Sequence, residues 1–175
     1  MRAEDIPQVI LRTYVPGRPR SKGSLKHWCM KDRKHTVRVE EQVKDSHAWR
    51  VKVAHQVQRE CRGAYGEHLR LEIPVELRVV YFFDRTAEDR PDEAYPVAMG
   101  IGDLDKLDRN IGDALTSSGV IKDDQYIVRI VSEKRWAAPG SIGGAQITLL
   151  KVEQDAELLQ SLVETGAYLM QGLDS

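Results

Sequence analysis

The sequence has only two cysteines, no apolar run long enough to cross a bilayer and almost no net charge. Each shortage excludes something. Cys29 and Cys61 fall in different expected elements, and a chain of 175 residues with 41% hydrophobic residues can bury a core without a disulfide, so reduced thiols are expected. No stretch reaches the roughly 20 apolar residues of a spanning helix, and the N-terminus MRAEDIPQV is too acidic and too poor in apolar residues for a signal peptide. The expectation is a soluble, cytoplasmic protein with no membrane partner. Without repeats or low-complexity stretches, the length fits one domain.

A formal net charge of −1 offers no bulk attraction to a polyanion, but it conceals an asymmetry. Residues 1–70 carry 16 Lys and Arg against 8 Asp and Glu, a net +8, while residues 71–175 carry a net −9. The first part is suited to hold a polyanion and the second a metal ion.

Val9 to Val15 alternate over a β-branched run and predict a strand. The segment from Tyr14 to Arg38 reads as a long loop, because Pro16, Gly17, Pro19 and Gly23 break helix and sheet alike. It carries Arg18, Arg20, Lys22, Lys26, Lys31, Arg33, Lys34 and Arg38 with Tyr14 and Trp28 between them. That mixture suits phosphate contacts and stacking on unpaired bases, and equally a solvated loop beside an acidic neighbour. From Glu40 to Cys61 the i+4 spacing of Trp49, Val53, Val57 and Cys61 predicts an amphipathic helix ended by Gly63 and Gly66. His47, His55 and Cys61 lack the paired spacing of a zinc site. LRLEIPVELRVVYFF is the strongest expected strand, interior to a sheet and covered on both faces. Residues 84–102 read as an irregular loop. YIVRIVSEKRW and GAQITLLKV predict two further strands joined as a hairpin, and residues 153–175 an amphipathic C-terminal helix or tail on a 1–152 domain.

The stretch GDLDKLDRNIGDALTSSGVIKDD, Gly102 to Asp124, holds six aspartates. Leu104, Leu107, Ile111, Ala114 and Leu115 place a helix there with one buried face, and Asp103 can serve as its N-cap. Capping does not account for Asp105, Asp108, Asp113, Asp123 and Asp124. Carboxylates gathered within a few ångströms repel unless a cation sits among them, and hard oxygen ligands select Mg²⁺ or Mn²⁺. A calcium loop fails, because Leu107, Asp108 and Ala114 stand where its fifth, sixth and twelfth positions need other residues. Arg109 lies four residues from both Asp105 and Asp113, placed either for a structural ion pair or for a phosphate.

This pattern of DLD, a cation four residues on, DAL, a glycine turn and DD resembles the RusA family of Holliday junction resolvases, common in phages and prophages. Asp103, Asp105, Leu107, Asp113, Ala114, Leu115, Gly119, Asp123 and Asp124 match it without a gap, and Lys134 falls where the family has a lysine. The family's Asn is Lys106 here and its catalytic Lys is Arg109. The likeness is close over residues 103–134 and looser over 14–151.

The resemblance implies a single small mixed α/β domain, a mixed β-sheet packed by helices. It further implies a Mg²⁺-dependent (or Mn²⁺-dependent) endodeoxyribonuclease acting as a homodimer on branched DNA, in a bacterial or phage-infected cell. Asp103, Asp105 and Asp124 become the metal-binding catalytic carboxylates and Arg109 the catalytic cation. The GRPRSK segment, similar to the family's basic N-terminal loop, supplies DNA contacts from Arg18, Arg20 and Lys22, joined by Lys26 and Lys134. Asp108 is expected at the surface. The rival expectations are a branched-DNA-binding protein without catalysis and a nuclease acting on flaps or forks.

Overall fold

The computed structural model describes residues 6–23, 25–29, 37–41, 45–66, 69–85, 94–97 and 100–153, with the backbone alone for 25–29 and 37–41. Strand β1 spans Val9–Pro16, β2 Leu25–Cys29 and β3 Val37–Glu41; helix α1 spans Ser46–Tyr65 and strand β4 Val75–Phe83. Helix α2 spans Leu104–Ser118, a 3₁₀ turn Asp124–Tyr126, strand β5 Ile127–Trp136 and strand β6 Gly144–Lys151. Four strands form a mixed sheet in the order β1-β6-β4-β5, and β2 pairs with β3 in a separate ribbon. The chain is a small α+β domain, as expected.

The core follows from alternation. Leu11, Thr13 and Val15 of β1 stand opposite Leu149, Ile147 and Ala145 of β6, which in turn face Leu77, Val79 and Tyr81 of β4. All are buried, and Trp49, Val53, Val57 and Cys61 of α1 with Leu107, Ile111, Ala114 and Leu115 of α2 close over them. Burial pushes the Cys61 thiol up to about 11, which keeps it protonated and inert. Each of these rows ends on β5 with Ile130, Ser132 or Lys134. Apart from Thr13, the helix-side face of the sheet is therefore apolar until its last strand, where Ser132 and Lys134 bring in polar groups.

Four expectations need correction. β5 and β6 do not form a hairpin; β6 lies antiparallel to both β4 and β1, and β5 runs parallel to β4 on the other side. A parallel pair needs a crossover, and α2 supplies it. Residues 14–38 are not one long loop, because β2 and β3 pair antiparallel with Trp28 opposite Arg38. The breakers all precede Leu25, and the stretch after it is free to pair. For the same reason α1 begins at Ser46 rather than at Glu40, since Glu40 and Glu41 belong to β3 opposite Lys26 and Leu25, and Gly63 lies inside the helix, which ends at Gly66. Among the described residues both helices pack on one face of the sheet. On the opposite face Val80 and Phe82 are half-buried, with Phe82 leaning on the ring of Tyr14 at 6.2 Å. The expected C-terminal helix lies outside the described residues beyond Glu153. No described helix is long and apolar enough to cross a membrane.

Candidate active site

Helix α2 starts where Gly102 turns the chain at φ 89°, and a side chain there would meet Ser21 at 3.0 Å. The residue is small because the basic segment passes directly against it. Asp103 occupies the N-cap backbone position with extended φ and ψ, but its carboxylate does not cap. It pairs instead with Lys106 Nζ at 2.7 Å, and that hydrogen bond holds it below the usual carboxylate range. Asp105 is exposed and, among the described residues, forms no hydrogen bond or ion pair. Arg109 is exposed and pairs with neither Asp105 nor Asp113. The plain surface ion pair that its spacing allowed is absent.

Because α2 runs antiparallel to β5, its acidic edge follows that strand. Lys134 Nζ donates to Gly102 O at 3.3 Å beside Asp103, Ser132 meets Asp108, and Ile127 packs at Gly112. The 3₁₀ turn is capped by Asp123, which accepts from Gln125 N–H at 3.1 Å; that bond lowers the Asp123 carboxyl. Asp124 next to it is raised, chiefly by its hydrogen bond to Asp123, with burial and the charge of Asp123 adding to it. A Cβ on Gly112 would stand 4.0 Å from the Asp124 Cβ, so the turn closes over α2 at a glycine. Seven residues of helix separate Gly112 from Asp105, about 10 Å along the axis. Asp103, Asp105 and Asp124 thus share one edge of α2 without meeting at a point. Among the described residues no three His, Cys, Asp or Glu side chains converge into a metal cage.

Asp108 is not a surface acid. It is half-buried under β4 and β5, accepting from Tyr81 Oη at 2.8 Å and from Ser132 Oγ at 2.6 Å. Burial raises its carboxyl despite those two donors. The sequence hid this because both donors sit on strands distant in the chain.

The basic segment lies against the same helix. Lys22 N–H donates to Lys106 O at 2.9 Å, and Lys22 Nζ pairs with Asp113 at 2.6 Å. Arg20 reaches Asp45 at 3.6 Å, and Arg18 is exposed. Lys26 lies on β2, with its side chain outside the described residues. Sequence reasoning passed over Arg50 of α1, which shares Asp113 at 3.3 Å, and Asn110, which is fully buried. Asn110 had a signal: it falls three residues after Leu107 and four before Ala114, a polar residue on the buried stripe.

Carboxylates of this kind offer hard oxygen donors, the chemistry Mg²⁺ and Mn²⁺ take. Asp105 has no partner among the described residues to give up, and the Asp123–Asp124 contact is a like-charge pair that a cation would relieve. Mg²⁺ characteristically uses one or two carboxylates plus waters and substrate phosphates instead of an all-protein cage, so an open edge suits it. The family model of endodeoxyribonuclease RusA matches residues 16–143, a span that takes in the basic segment, α2 and the double-aspartate turn. No curated protein matches the chain.

Proposed function

The chain belongs to the endodeoxyribonuclease RusA family, and from that premise we propose that it cuts four-way DNA junctions by divalent-metal-dependent phosphodiester hydrolysis. One observation carries the reading. Lys22 N–H bonds to Lys106 O, which seats the basic segment on the helix whose exposed edge presents Asp103 and Asp105. Cations for the DNA backbone and carboxylates for a metal thus share one surface.

In this reading Asp103 and Asp105 would hold Mg²⁺ or Mn²⁺, and Asp124, about two helical turns along the same edge, would act through bridging water or a second ion. The bound ion supplies an activated water and neutralises charge on the leaving oxygen. Arg109, which forms no ion pair among the described residues and lies one helical turn beyond Asp105, holds the scissile phosphate and the charge that develops on it. Arg18, Arg20, Lys22, Lys26 and Lys134 grip flanking phosphates. A four-way junction has two-fold symmetry and needs two matching cuts, so a C2 homodimer places one site on each strand.

The test is cleavage of a synthetic four-way junction with Mg²⁺ or Mn²⁺, beside linear duplex, flap and fork substrates. Paired nicks on the junction are expected, with a loss of at least about 10³-fold in Asp103→Asn at unchanged DNA binding. No cleavage of any substrate with either ion would sink the enzymatic reading, and preferred cutting of flaps or forks would replace the substrate.

A further inference from the structure

We propose that Asn110 is a positioning residue for DNA: it clamps the basic segment to α2 and so sets the distance between the DNA-gripping cations and the acidic edge. The inference rests on the reading of that segment as a DNA contact.

Asn110 ties both the basic segment and α1 to α2 with one side chain. Its Nδ2 donates to Arg20 O at 2.7 Å and to Ser46 Oγ, the first residue of α1, at 3.2 Å. Its Oδ1 accepts from Arg50 Nη1 at 3.3 Å. The residue is completely buried. A buried amide with both ends engaged is tolerated only because its partners are in place, and removing it would orphan the Arg20 carbonyl. Packing alone would have been served by an aliphatic side chain, as at Leu107 and Ala114 on the same stripe.

The neighbours give the clamp its meaning. Arg109 precedes Asn110 and points outward from the same turn of α2 on which Asn110 points inward. The carbonyl that Asn110 holds belongs to Arg20, between Arg18 and Lys22. Lys22 N–H to Lys106 O is a second tie, and Lys22 Nζ to Asp113 a third, but the last would be given up to a phosphate. Asn110 and the Lys106 carbonyl are ties that no phosphate displaces, and Asn110 is the one made by a side chain. It keeps the segment ordered when phosphates take Lys22.

The experiment compares wild type, Asn110→Ala and the isosteric Asn110→Asp, which keeps an acceptor for Arg50 but loses the donor to Arg20 O. Binding to a labelled four-way junction without divalent ion should weaken about tenfold in both variants, and the slope of log Kd against log salt should fall by about two. In hydrogen exchange on the free protein, the Lys22 amide should lose protection while the amides of β4 and β6 keep theirs. A residue that merely stabilises the fold would lower the melting temperature without changing the salt slope. Unchanged affinity, an unchanged slope or an unchanged Lys22 amide overturns the clamp. Should wild type itself fail to bind the junction, the DNA reading falls and takes the clamp with it, a result separable from the variant outcomes.

Discussion

Ser132 Oγ on β5 donates to Asp108 Oδ2 on α2 at 2.6 Å, so the crossover helix is tied to the edge strand through a half-buried acid. Tyr81 Oη on β4 takes the other oxygen at 2.8 Å. The acidic edge of α2 is thereby fixed over β5 at its middle, between Asp105 and the turn that carries Asp124.

Asp108 makes that tie at an electrostatic cost with a definite pH signature. Burial raises its carboxyl in the folded state, so the folded protein binds the proton more tightly than the unfolded chain does. The stability this confers is fully present below the ordinary aspartate value of about 3.9 and is lost as pH rises through the folded value. Asp108→Asn removes the titration and keeps an oxygen acceptor. Its melting temperature relative to wild type should accordingly be higher at pH 7 than at pH 4. A difference that does not vary with pH between those points would contradict the assignment.

Gly112 separates a steric requirement from helix propensity. A Cβ there finds Ile127 Cδ1 at 3.7 Å and Asp124 Cβ at 4.0 Å, ordinary contact distances, and the φ is helical. Gly112→Ala should fold and gain up to about 1 kcal/mol from helix propensity, with cleavage within a fewfold of wild type. Gly112→Leu would wedge the turn away from α2 and lower junction cleavage by about 10²-fold, since misplacing a reacting group by about 1 Å costs that much. Equal activity in the two variants would show that Asp124 need not lie against the helix.

What the sequence made legible was what short-range pattern encodes. The spacing of Leu107, Ile111, Ala114 and Leu115 placed α2, and alternation in VELRVVYFF placed β4 with its buried face. The β5–β6 pairing was misread because adjacency favours a hairpin, whereas β6 is drawn to the far side of β4 by pairing with β1. Asp108 and Asn110 were missed for one reason: their partners, Tyr81, Ser132, Arg20, Ser46 and Arg50, come from distant segments. A polar residue on an apolar stripe signals a buried network without naming its members. The resemblance to the family pattern implied Asp103, Asp105 and Asp124 as ligands, but their spread along one helix edge belongs to the fold alone.

Lys22 and Asp113 should shift DNA binding in opposite directions. Lys22→Ala removes a phosphate contact, so affinity should fall for every sequence and the salt slope by about one. Asp113→Asn instead releases the Lys22 ammonium, now held at 2.6 Å, while the backbone ties to Lys106 and Asn110 keep the segment in place. Phosphates then meet Lys22 without its paired carboxylate, and only the more distant charge of Asp124 is left to compete. Tighter junction binding is expected, measured by fluorescence anisotropy at several salt concentrations. Weaker binding by Asp113→Asn would mean that the ion pair orders the segment and is no mere competitor for phosphate.

Arg109 bears on how the proposed chemistry uses its cation. It stands where the resembled pattern has lysine, four residues from Asp105, and it forms no ion pair with the acids on either side. An arginine keeps its charge across the working pH range and offers a planar fork to phosphate, so it suits electrostatic stabilisation, whereas lysine can also give up a proton. If charge is what matters, Arg109→Lys should retain cleavage within about tenfold and Arg109→Ala should lose about 10²- to 10³-fold, each measured in single turnovers at saturating junction. The pH profile adds a second reading. In Arg109→Lys the rate should decline toward pH 10, as an ammonium with an ordinary value of about 10.4 begins to deprotonate, while the wild-type rate shows no such limb. A wild-type profile with that alkaline limb, or full activity in Arg109→Ala, would assign the phosphate contact to another cation, with Lys134 beside Gly102 the first to test.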